Sequence, residues 1–285
     1  MNIVSLQSAV AYGHVGNSAA VFPMQRLGHE VWPVHTVNFS NHTEYPTWRG
    51  PVLGADNVRE ILRGMEFAFP QVDLFVSGYL GTAEMAEVVR DAVVAIKEAN
   101  PQARYVCDPV IGNSEVGSFV NEDIPDVYTE TLIPLADAIT PNQWELSLLT
   151  GRRLDQAGST SEAAYAAYAA DAEYTEALAD AARSLCSNAL ITSVETGNPE
   201  TIGMVDVAST SVLRTDAPRL GGNIVGAGDL ATALYAALID AAPQQRLDHL
   251  AGTMGAMVRA VRERGLDELP LVELQECIVD PARTA

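Results

Sequence analysis

Lysine is almost absent from this chain of 285 residues, because Lys97 is the only one and lies in a helical pattern. The sequence has no Gly-x-x-x-x-Gly-Lys-Ser/Thr segment, which excludes a P-loop nucleotide site. The lysine of protein kinases in its strand context is missing as well. If the chain is a phosphotransferase, it must therefore work with glycine amides, a carboxylate and metal ions.

Cysteines and long apolar runs are also scarce. Cys107, Cys186 and Cys277 are widely spaced and lack metal-ligand pairing, which is typical of reduced thiols in the cytoplasm. No apolar run approaches the roughly 20 residues of a membrane span, and the N-terminus lacks the layout of a signal peptide. These features predict a cytoplasmic protein without a membrane span.

Basic residues are few, since 17 Lys and Arg face 37 Asp and Glu and the formal net charge is −20 at pH 7. Such a surface repels nucleic acid and anionic membranes, so neither is expected as a partner. An anionic substrate is repelled at long range too, and a nucleotide should therefore arrive with its cations.

Short β-branched runs alternate along the chain with apolar patterns of helical period. Strands are predicted at 2–6, 30–37, 73–77, 104–108, 136–140, 189–193, 201–207 and 211–216. Helices are predicted at 17–27, 56–67, 83–99, 125–135, 142–150, 160–186, 230–242 and 246–264. The alternation predicts an α/β fold with a mostly parallel sheet covered on both faces, and an antiparallel hairpin for the last two strands. No linker divides the chain, so we expect one domain over 1–285 with a flexible tail at 279–285.

The most informative segment is Ile224-Val-Gly-Ala-Gly-Asp-Leu230, at the start of a predicted helix. Gly226 and Gly228 leave backbone amides accessible, and the positive end of the helix points at the same place, so the turn suits an anion. Asp229 is then positioned to take a proton from an attacking hydroxyl. The alternative interpretation is that Asp229 only caps the helix.

Oxygen ligands follow two predicted strands. Asp108 ends one strand, and Asn142 and Glu145 follow the next, so the three could hold Mg²⁺ directly or through its waters. In the second segment Thr140 is predicted as the N-cap, with Pro141 at the first helical position. A capping box would then use residue 143, so this cap does not account for Glu145.

Further polar groups occur at other strand ends. Thr192 and Ser193 offer hydroxyls that could meet the phosphates of a nucleotide. Ser8 lies in the polar and glycine-rich segment after the first strand, at the edge where open α/β sheets bind ligands. The segment 38–50 mixes aromatic rings with hydroxyls and amides, which suits a flat heteroaromatic ligand. His42 in this segment could act in acid–base chemistry, although a structural role is favoured.

These segments resemble the pyridoxal kinases of the ribokinase-like superfamily from Ser5 to about Arg264. The matching motifs are Gln7-Ser8…Tyr12-Gly-His-Val-Gly-Asn-Ser-Ala-Ala20, Phe39-Ser-Asn-His-Thr43, Ser77-Gly-Tyr-Leu-Gly81, Cys107-Asp-Pro-Val110, Thr140-Pro-Asn-Gln143 with Glu145, and Gly226-Ala-Gly-Asp229. The first two motifs are specific to pyridoxal kinases, whereas the last indicates only the superfamily.

The resemblance implies a three-layer α/β/α sandwich with a mostly parallel central sheet. It also implies a homodimer that phosphorylates the 5′-hydroxyl of pyridoxal with ATP and Mg²⁺. A monovalent cation, K⁺ or Na⁺, is implied near Asp108 and Thr192.

The resemblance also assigns residue roles. It makes Asp229 the base and gives the transferring phosphoryl group to the amides of Gly226, Ala227 and Gly228. The implied pyridoxal contacts are Ser8, Val15, Phe39, Thr43, Tyr79 and Val225. The implied nucleotide contacts are Asp108, Asn113, Asn142, Glu145, Thr192 and Ser193, with Asp108 and Glu145 serving the metal. Asn113 stands where an acid is common in the family.

Two alternative functions remain open from the sequence. One is a kinase of the same superfamily that acts on a hydroxymethylpyrimidine or a sugar. The other is a catalytically idle protein that binds vitamin B6. Ser8 and Thr43 favour a pyridine substrate over the first, and the presence of Asp229 and Glu145 argues against the second.

Overall fold

The computed structural model describes residues 1–154, 172–196, 198–219 and 224–283. These residues form an eight-stranded sheet and a separate two-stranded ribbon, β5–β6. The strands are β1 (Asn2–Val10), β2 (Glu30–Phe39), β3 (Leu74–Ser77), β4 (Arg104–Cys107), β5 (Gly112–Asn113), β6 (Gly117–Ser118), β7 (Ala138–Ile139), β8 (Ala189–Glu195), β9 (Thr201–Ala208) and β10 (Ser211–Pro218). Their order in the large sheet is β10-β9-β8-β7-β4-β3-β1-β2.

Helices separate most of the strands. They are α1 (Asn17–Arg26), α2 (Ala55–Gly64), α3 (Glu84–Ala99), α4 (Ile124–Val127), α5 (Gln143–Thr150), α6 (Ala172–Arg183), α7 (Ala227–Ala237), α8 (Pro243–Arg264) and α9 (Gln275–Val279). The helix predicted over 160–186 falls only partly within the described residues, because 160–171 lie outside them.

The mostly parallel sheet predicted from the sequence is confirmed. Strands β2, β1, β3, β4, β7 and β8 pair side by side in parallel. The exceptions are β9 and β10, which pair antiparallel to β8 and to each other, as the hairpin prediction required. The carboxyl ends of the six parallel strands therefore meet at one edge of the sheet.

Helices cover both faces of the sheet because neighbouring side chains of each strand point to opposite faces. Val4, Phe75 and Tyr105 belong to one core, which includes buried side chains of α2, α3, α5 and α6. Ile3 belongs to a second core, together with side chains of α1, α7, α8 and α9. The two cores on either side of one sheet make the three layers that were expected.

The segment predicted as one helix over 125–135 is irregular. It consists of the short α4, a π-helical turn over Tyr128–Leu132 and a 3₁₀ turn over Ile133–Leu135. Pro134 cannot donate a backbone hydrogen bond, and it lies in the first turn of the 3₁₀ segment. The apolar residues Tyr128, Leu132 and Ile133 of the predicted pattern are all buried, but the segment that carries them is not a regular α-helix.

Residues 279–283, which were predicted to begin a flexible tail, make defined contacts. Val279 is the last residue of α9, and the amide of Asp280 donates to the Glu276 carbonyl at 2.9 Å. Cys277 Sγ donates to the Arg283 carbonyl at 2.8 Å. The last two residues of the chain lie outside the described part.

The cysteines and the helices also bear on the predicted environment. All three cysteines are buried, and each is a free thiol. Among the helices of the described residues, none combines the length and apolar character that a membrane span needs.

Candidate active site

A cavity of about 1140 Å³ lies where the carboxyl ends of the parallel strands meet the N-terminus of α7. All sixteen residues that the sequence analysis assigned to a site line this cavity. They are Ser8, Val15, Phe39, Thr43, Tyr79, Asp108, Asn113, Asn142, Glu145, Thr192, Ser193, Val225, Gly226, Ala227, Gly228 and Asp229. The structure therefore brings every predicted site residue to one place, although it does not assign a role to any of them.

The glycine turn opens α7. Gly226 is the N-cap residue and has a φ of 83°, in the left-handed region that favours glycine. A Cβ atom here would overlap the His14 carbonyl oxygen, so only glycine lets these two backbone segments touch. The Ala227 amide donates to the Ile224 carbonyl at 3.1 Å. The amides of Gly228 and Asp229 have no partner within α7, because they belong to the first turn of the helix.

Asp229 is the third residue of α7 and is not its cap. The Gly16 amide stabilises the charge of its carboxylate, and Asp229 is partly exposed to the cavity. Desolvation by the surrounding walls raises the pKa of Asp229 to about 6, although the Gly16 amide opposes this shift. The cap explanation of Asp229 is therefore wrong, and the carboxylate is a stronger base than an ordinary aspartate.

Asp108 follows β4 and is buried beside α7. Thr232 Oγ1 donates to Asp108 Oδ2 at 2.8 Å, and Thr140 Oγ1 lies 2.8 Å from Thr232 Oγ1. Since the Thr232 hydroxyl donates to the carboxylate, it accepts from Thr140. Burial raises the pKa of Asp108 well above its usual range, and the nearby Glu145 and Asp229 raise it further. Thr232 was missed by the sequence analysis, although it lies one helical turn after Asp229 on the same face.

The start of α5 differs from the prediction. Asn142, rather than Thr140, is the N-cap, and its side chain accepts a hydrogen bond from the Glu145 amide at 2.9 Å. Glu145 Oε2 accepts from the Asn142 amide in return, so the two residues form a capping box. The inference that a cap does not account for Glu145 was therefore wrong.

Glu145 has a second set of contacts beyond the cap. Its Oε1 accepts from the amides of Ile111 and Gly112, at 2.9 and 3.2 Å. Burial nevertheless raises the pKa of Glu145 to about 7 against these hydrogen bonds, and Asp229 adds to the shift. With both oxygens engaged, Glu145 is better suited to a metal-bound water than to the metal itself.

The three carboxylates at this edge suit a divalent cation. Glu145 and Asp229 raise the pKa of Asp108, and Asp229 raises the pKa of Glu145, so a positive charge between them would relieve the repulsion. Within the described ranges, no group of three or more acidic, histidine or cysteine side chains could hold a metal by itself. Mg²⁺ commonly takes one or two carboxylates together with phosphate oxygens and water, which fits this arrangement.

The end of the cavity near β1 and β2 is largely apolar. Val10, Val37 and Phe39 form a small buried cluster, against which Val15 and Tyr79 pack. The rings of Phe39 and Trp48 lie 4.6 Å apart, and both residues line the cavity. Ser8 and Thr43 add hydroxyl groups to this wall. This end therefore suits a flat ring with polar substituents.

The opposite end of the cavity lies beside β8, β9, β10 and α8. Ser193 has a φ of 53°, the only positive value among the described non-glycine residues, at an irregularity in the pairing of β8 with β9. Strained backbone of this kind costs about 1–3 kcal/mol and tends to occur at ligand sites. Apolar side chains continue the wall at this end, and they include Ile202, Met204, Pro218, Met254 and Val258.

Asn113 and Lys97, which the sequence analysis considered, form hydrogen bonds or ion pairs with other groups of the protein. Asn113 Oδ1 accepts from the amides of Glu115 and Val116, so this side chain shapes the turn between β5 and β6. Lys97 lies on α3, donates to the Leu135 carbonyl and pairs with Asp137, both at 2.8 Å. The phosphates of a ligand would thus meet amides and hydroxyls here, with Arg219 and Arg259 lining the cavity as well.

Comparison with known proteins gives consistent results. Residues 55–246 match the phosphomethylpyrimidine kinase family model. The chain is 42 % identical to pyridoxal kinase PdxY of Corynebacterium diphtheriae, over 99 % of this chain and 96 % of that protein. It is 43 % identical to pyridoxal kinase PdxY of Leifsonia xyli, with the same coverage.

A solved structure of another protein has the same fold as this chain. The pyridoxal kinase of Leishmania donovani, solved in complex with ADP and pyridoxine, superposes with a TM-score of 0.85 at 24 % identity. The match covers 99 % of this chain and 96 % of that one. The ribokinase-like α/β/α fold implied by the motifs is thereby confirmed.

Proposed function

We propose that this chain, which belongs to the pyridoxal kinase family, transfers the γ-phosphoryl group of ATP to the 5′-hydroxyl of pyridoxal. One observation carries the proposal: the glycine turn, Asp229 and the apolar ring pocket open into the same cavity. An acceptor hydroxyl and a phosphoryl group can therefore meet at one point.

The chemistry follows from the positions of the side chains and amides. Asp229 orients the 5′-hydroxyl and accepts its proton as the bond to phosphorus forms. The amides of Gly226, Ala227 and Gly228 and the N-terminus of α7 stabilise the charge on the equatorial oxygens. The Ala227 amide contributes once its bond to the Ile224 carbonyl opens, whereas the Gly228 amide needs no such change.

Pyridoxal and the nucleotide bind at opposite ends of the cavity. The pyridoxal ring lies among Val15, Phe39, Tyr79 and Val225, with Ser8 and Thr43 bonded to its substituents. The nucleotide lies along Asn142, Thr192 and Ser193, and its base occupies the apolar wall between β9 and α8. Asn113 contacts the nucleotide from the turn between β5 and β6, which its side chain shapes.

A cation completes the charge balance of the site. Asp108 would hold Mg²⁺ directly and Glu145 would hold it through a water, and the ion would supply positive charge to offset the negative charge of the donor phosphates. A monovalent cation, K⁺ or Na⁺, would bind near Asp108 and Thr192. Both cations fit a site in which the neighbouring carboxylates Glu145 and Asp229 raise the pKa of the buried Asp108.

Further properties of the enzyme are part of the proposal. We expect a single domain that works as a homodimer in the cytoplasm, where the buried thiols stay reduced. Sedimentation equilibrium should give twice the mass of one chain. Neither nucleic acid nor a membrane is expected as a partner of so acidic a surface.

A substrate panel tests the function, because the matching family model is that of a phosphomethylpyrimidine kinase and a pyrimidine is therefore the alternative class of acceptor. ADP release is measured with pyridoxal, pyridoxine, pyridoxamine, hydroxymethylpyrimidine and ribose, with and without excess EDTA. We expect kcat/KM for pyridoxal to exceed the value for hydroxymethylpyrimidine and ribose at least tenfold, and EDTA to abolish turnover. The reverse preference would assign the chain to its alternative substrate. No ADP release with any acceptor would indicate a binding protein.

The raised pKa of Asp229 predicts a pH dependence. Because the base must be ionised, kcat/KM should fall as the pH drops through about 6, by about tenfold per unit below it. An ordinary aspartate, with a pKa near 3.8, would keep the rate constant down to about pH 4.5. The measurement is kcat/KM for pyridoxal between pH 4.5 and 8.5. A flat profile down to pH 5 would contradict the assignment of Asp229.

A further inference from the structure

A half-buried carboxylate outside the predicted site joins two loops of the ring pocket. Glu268 lies between α8 and α9, and its side chain is 14 % exposed. Its Oε2 accepts from the His14 amide at 2.8 Å, and its Oε1 accepts from Tyr45 Oη at 2.9 Å. His42 Nε2 lies 3.2 Å from the same Oε1. We call Glu268, His42, Tyr45 and the backbone of Gly13 and His14 the Glu268 cluster.

The Glu268 carboxylate packs closely against the backbone of Gly13. Gly13 has a φ of 92°, and a Cβ atom there would lie 2.6 Å from Glu268 Oε2, so glycine is needed for the carboxylate to reach the His14 amide. Burial and Glu268 raise the pKa of Tyr45, which keeps the phenol protonated as a donor. The rings of His42 and Tyr45 lie 4.5 Å apart. The carboxylate thus receives donors from two separate loops.

Each of these loops carries a proposed substrate contact. His42 and Tyr45 flank Thr43, which lines the ring end of the cavity. The loop of Gly13 and His14 leads directly to Val15, which lines the same end, and to Gly16, whose amide lowers the pKa of Asp229 against the effect of burial.

The segment of Glu268 also reaches the glycine turn. A Cβ atom on Gly226 would lie 3.5 Å from Leu269 Cδ1, and it would overlap the His14 carbonyl. The residue after Glu268 and the loop bonded to Glu268 therefore both border the start of α7.

We propose that Glu268 is a positioning residue of the pyridoxal site. It ties the Thr43 loop to the loop that joins Ser8 to Gly16, and so fixes the width of the ring pocket beside Asp229. The inference rests on the proposed function for the identity of the ligand. It predicts an effect on the pyridoxal end of the cavity that spares the nucleotide end, because the contacts described for Glu268 all go to the two loops at the ring end.

Glu268→Gln keeps the shape of the side chain but replaces one acceptor oxygen with a donor group. Facing three donors, the amide cannot satisfy them all. We expect KM for pyridoxal to rise at least tenfold while KM for ATP changes less than twofold. Tyr45→Phe, which removes one donor and retains the ring, should raise KM for pyridoxal by a smaller factor. Asp267→Asn is the matched control, because it removes the same charge from the exposed neighbouring residue and should leave both constants unchanged.

An equilibrium titration with pyridoxal alone separates this inference from the proposed function. The Kd of Glu268→Gln should exceed that of the parent at least tenfold, whether or not the parent turns over ATP. Absence of turnover in the parent would reject the proposed function only. A parent-like Kd for Glu268→Gln would overturn the positioning role. Proportional increases in KM for pyridoxal and for ATP would overturn it too, because they would indicate a general loss of structure.

Discussion

Asp229→Asn should lower kcat with ATP and pyridoxal by about 10²–10⁴-fold while both KM values stay within a fewfold of the parent. The asparagine has nearly the same shape and keeps a carbonyl oxygen that can face the Gly16 amide. It cannot accept the proton of the 5′-hydroxyl. Steady-state kinetics at pH 8 test this, and a kcat within about tenfold of the parent would show that Asp229 is not the base.

The same variant should be more stable than the parent without ligands. Because folding raises the pKa of Asp229 from 3.8 to about 6, the folded state favours the protonated form. The ionised carboxylate therefore costs stability above about pH 6, and this cost disappears as the pH falls towards 3.8. A shift of about two units corresponds to about 3 kcal/mol at most. Asp229→Asn should thus unfold at a higher urea concentration than the parent at pH 8, which also shows that lost activity is not lost folding.

Gly226→Ala should lower kcat/KM by at least about 100-fold, because a displacement of about 1 Å near reacting groups can cost that much. The new Cβ atom would overlap the His14 carbonyl oxygen, and neither backbone segment can yield without moving the start of α7. The left-handed φ of 83° adds about 1–2 kcal/mol of strain for alanine. Kinetics and urea unfolding of the purified variant measure the two effects.

Gly265→Ala is the control for the backbone strain of a left-handed φ without the steric overlap. Gly265 ends α8 with a φ of 61°, and a Cβ atom there would meet no atom within 4 Å. This variant should lose about 1–2 kcal/mol of stability and keep the kinetics of the parent. If Gly226→Ala were as active as Gly265→Ala, the close approach of His14 to the glycine turn would have no part in catalysis.

Much of the site could be predicted because the sheet is mostly parallel. Asp108, Asn142 and Thr192 are far apart in sequence, but Asp108 and Asn142 follow the neighbouring parallel strands β4 and β7, and Thr192 of β8 pairs with Asn142. Alternation of strands and helices is enough to predict that edge. The glycine turn could be found for a similar reason, since glycine before an apolar helix marks an accessible helix start.

The parts that were missed depend on contacts that a local pattern does not contain. Proline at position 141 suggested a helix start two residues earlier than the observed one, and the true cap became visible only with the Asn142–Glu145 hydrogen bonds. Thr232 is significant only because α7 packs against the end of β4, where Asp108 lies. Glu268 is 226 residues from His42, and nothing in its own segment indicates that the two side chains meet.

The central claim is that Asp229 and the glycine turn act on one acceptor hydroxyl. A crystal structure with pyridoxal, Mg²⁺ and a non-hydrolysable ATP analogue tests it most directly. The account predicts an Asp229 oxygen within about 3.2 Å of the 5′-oxygen and the γ-phosphoryl group at the amides of residues 226–228. A 5′-oxygen held by another side chain, with Asp229 turned away from the cavity, would contradict it.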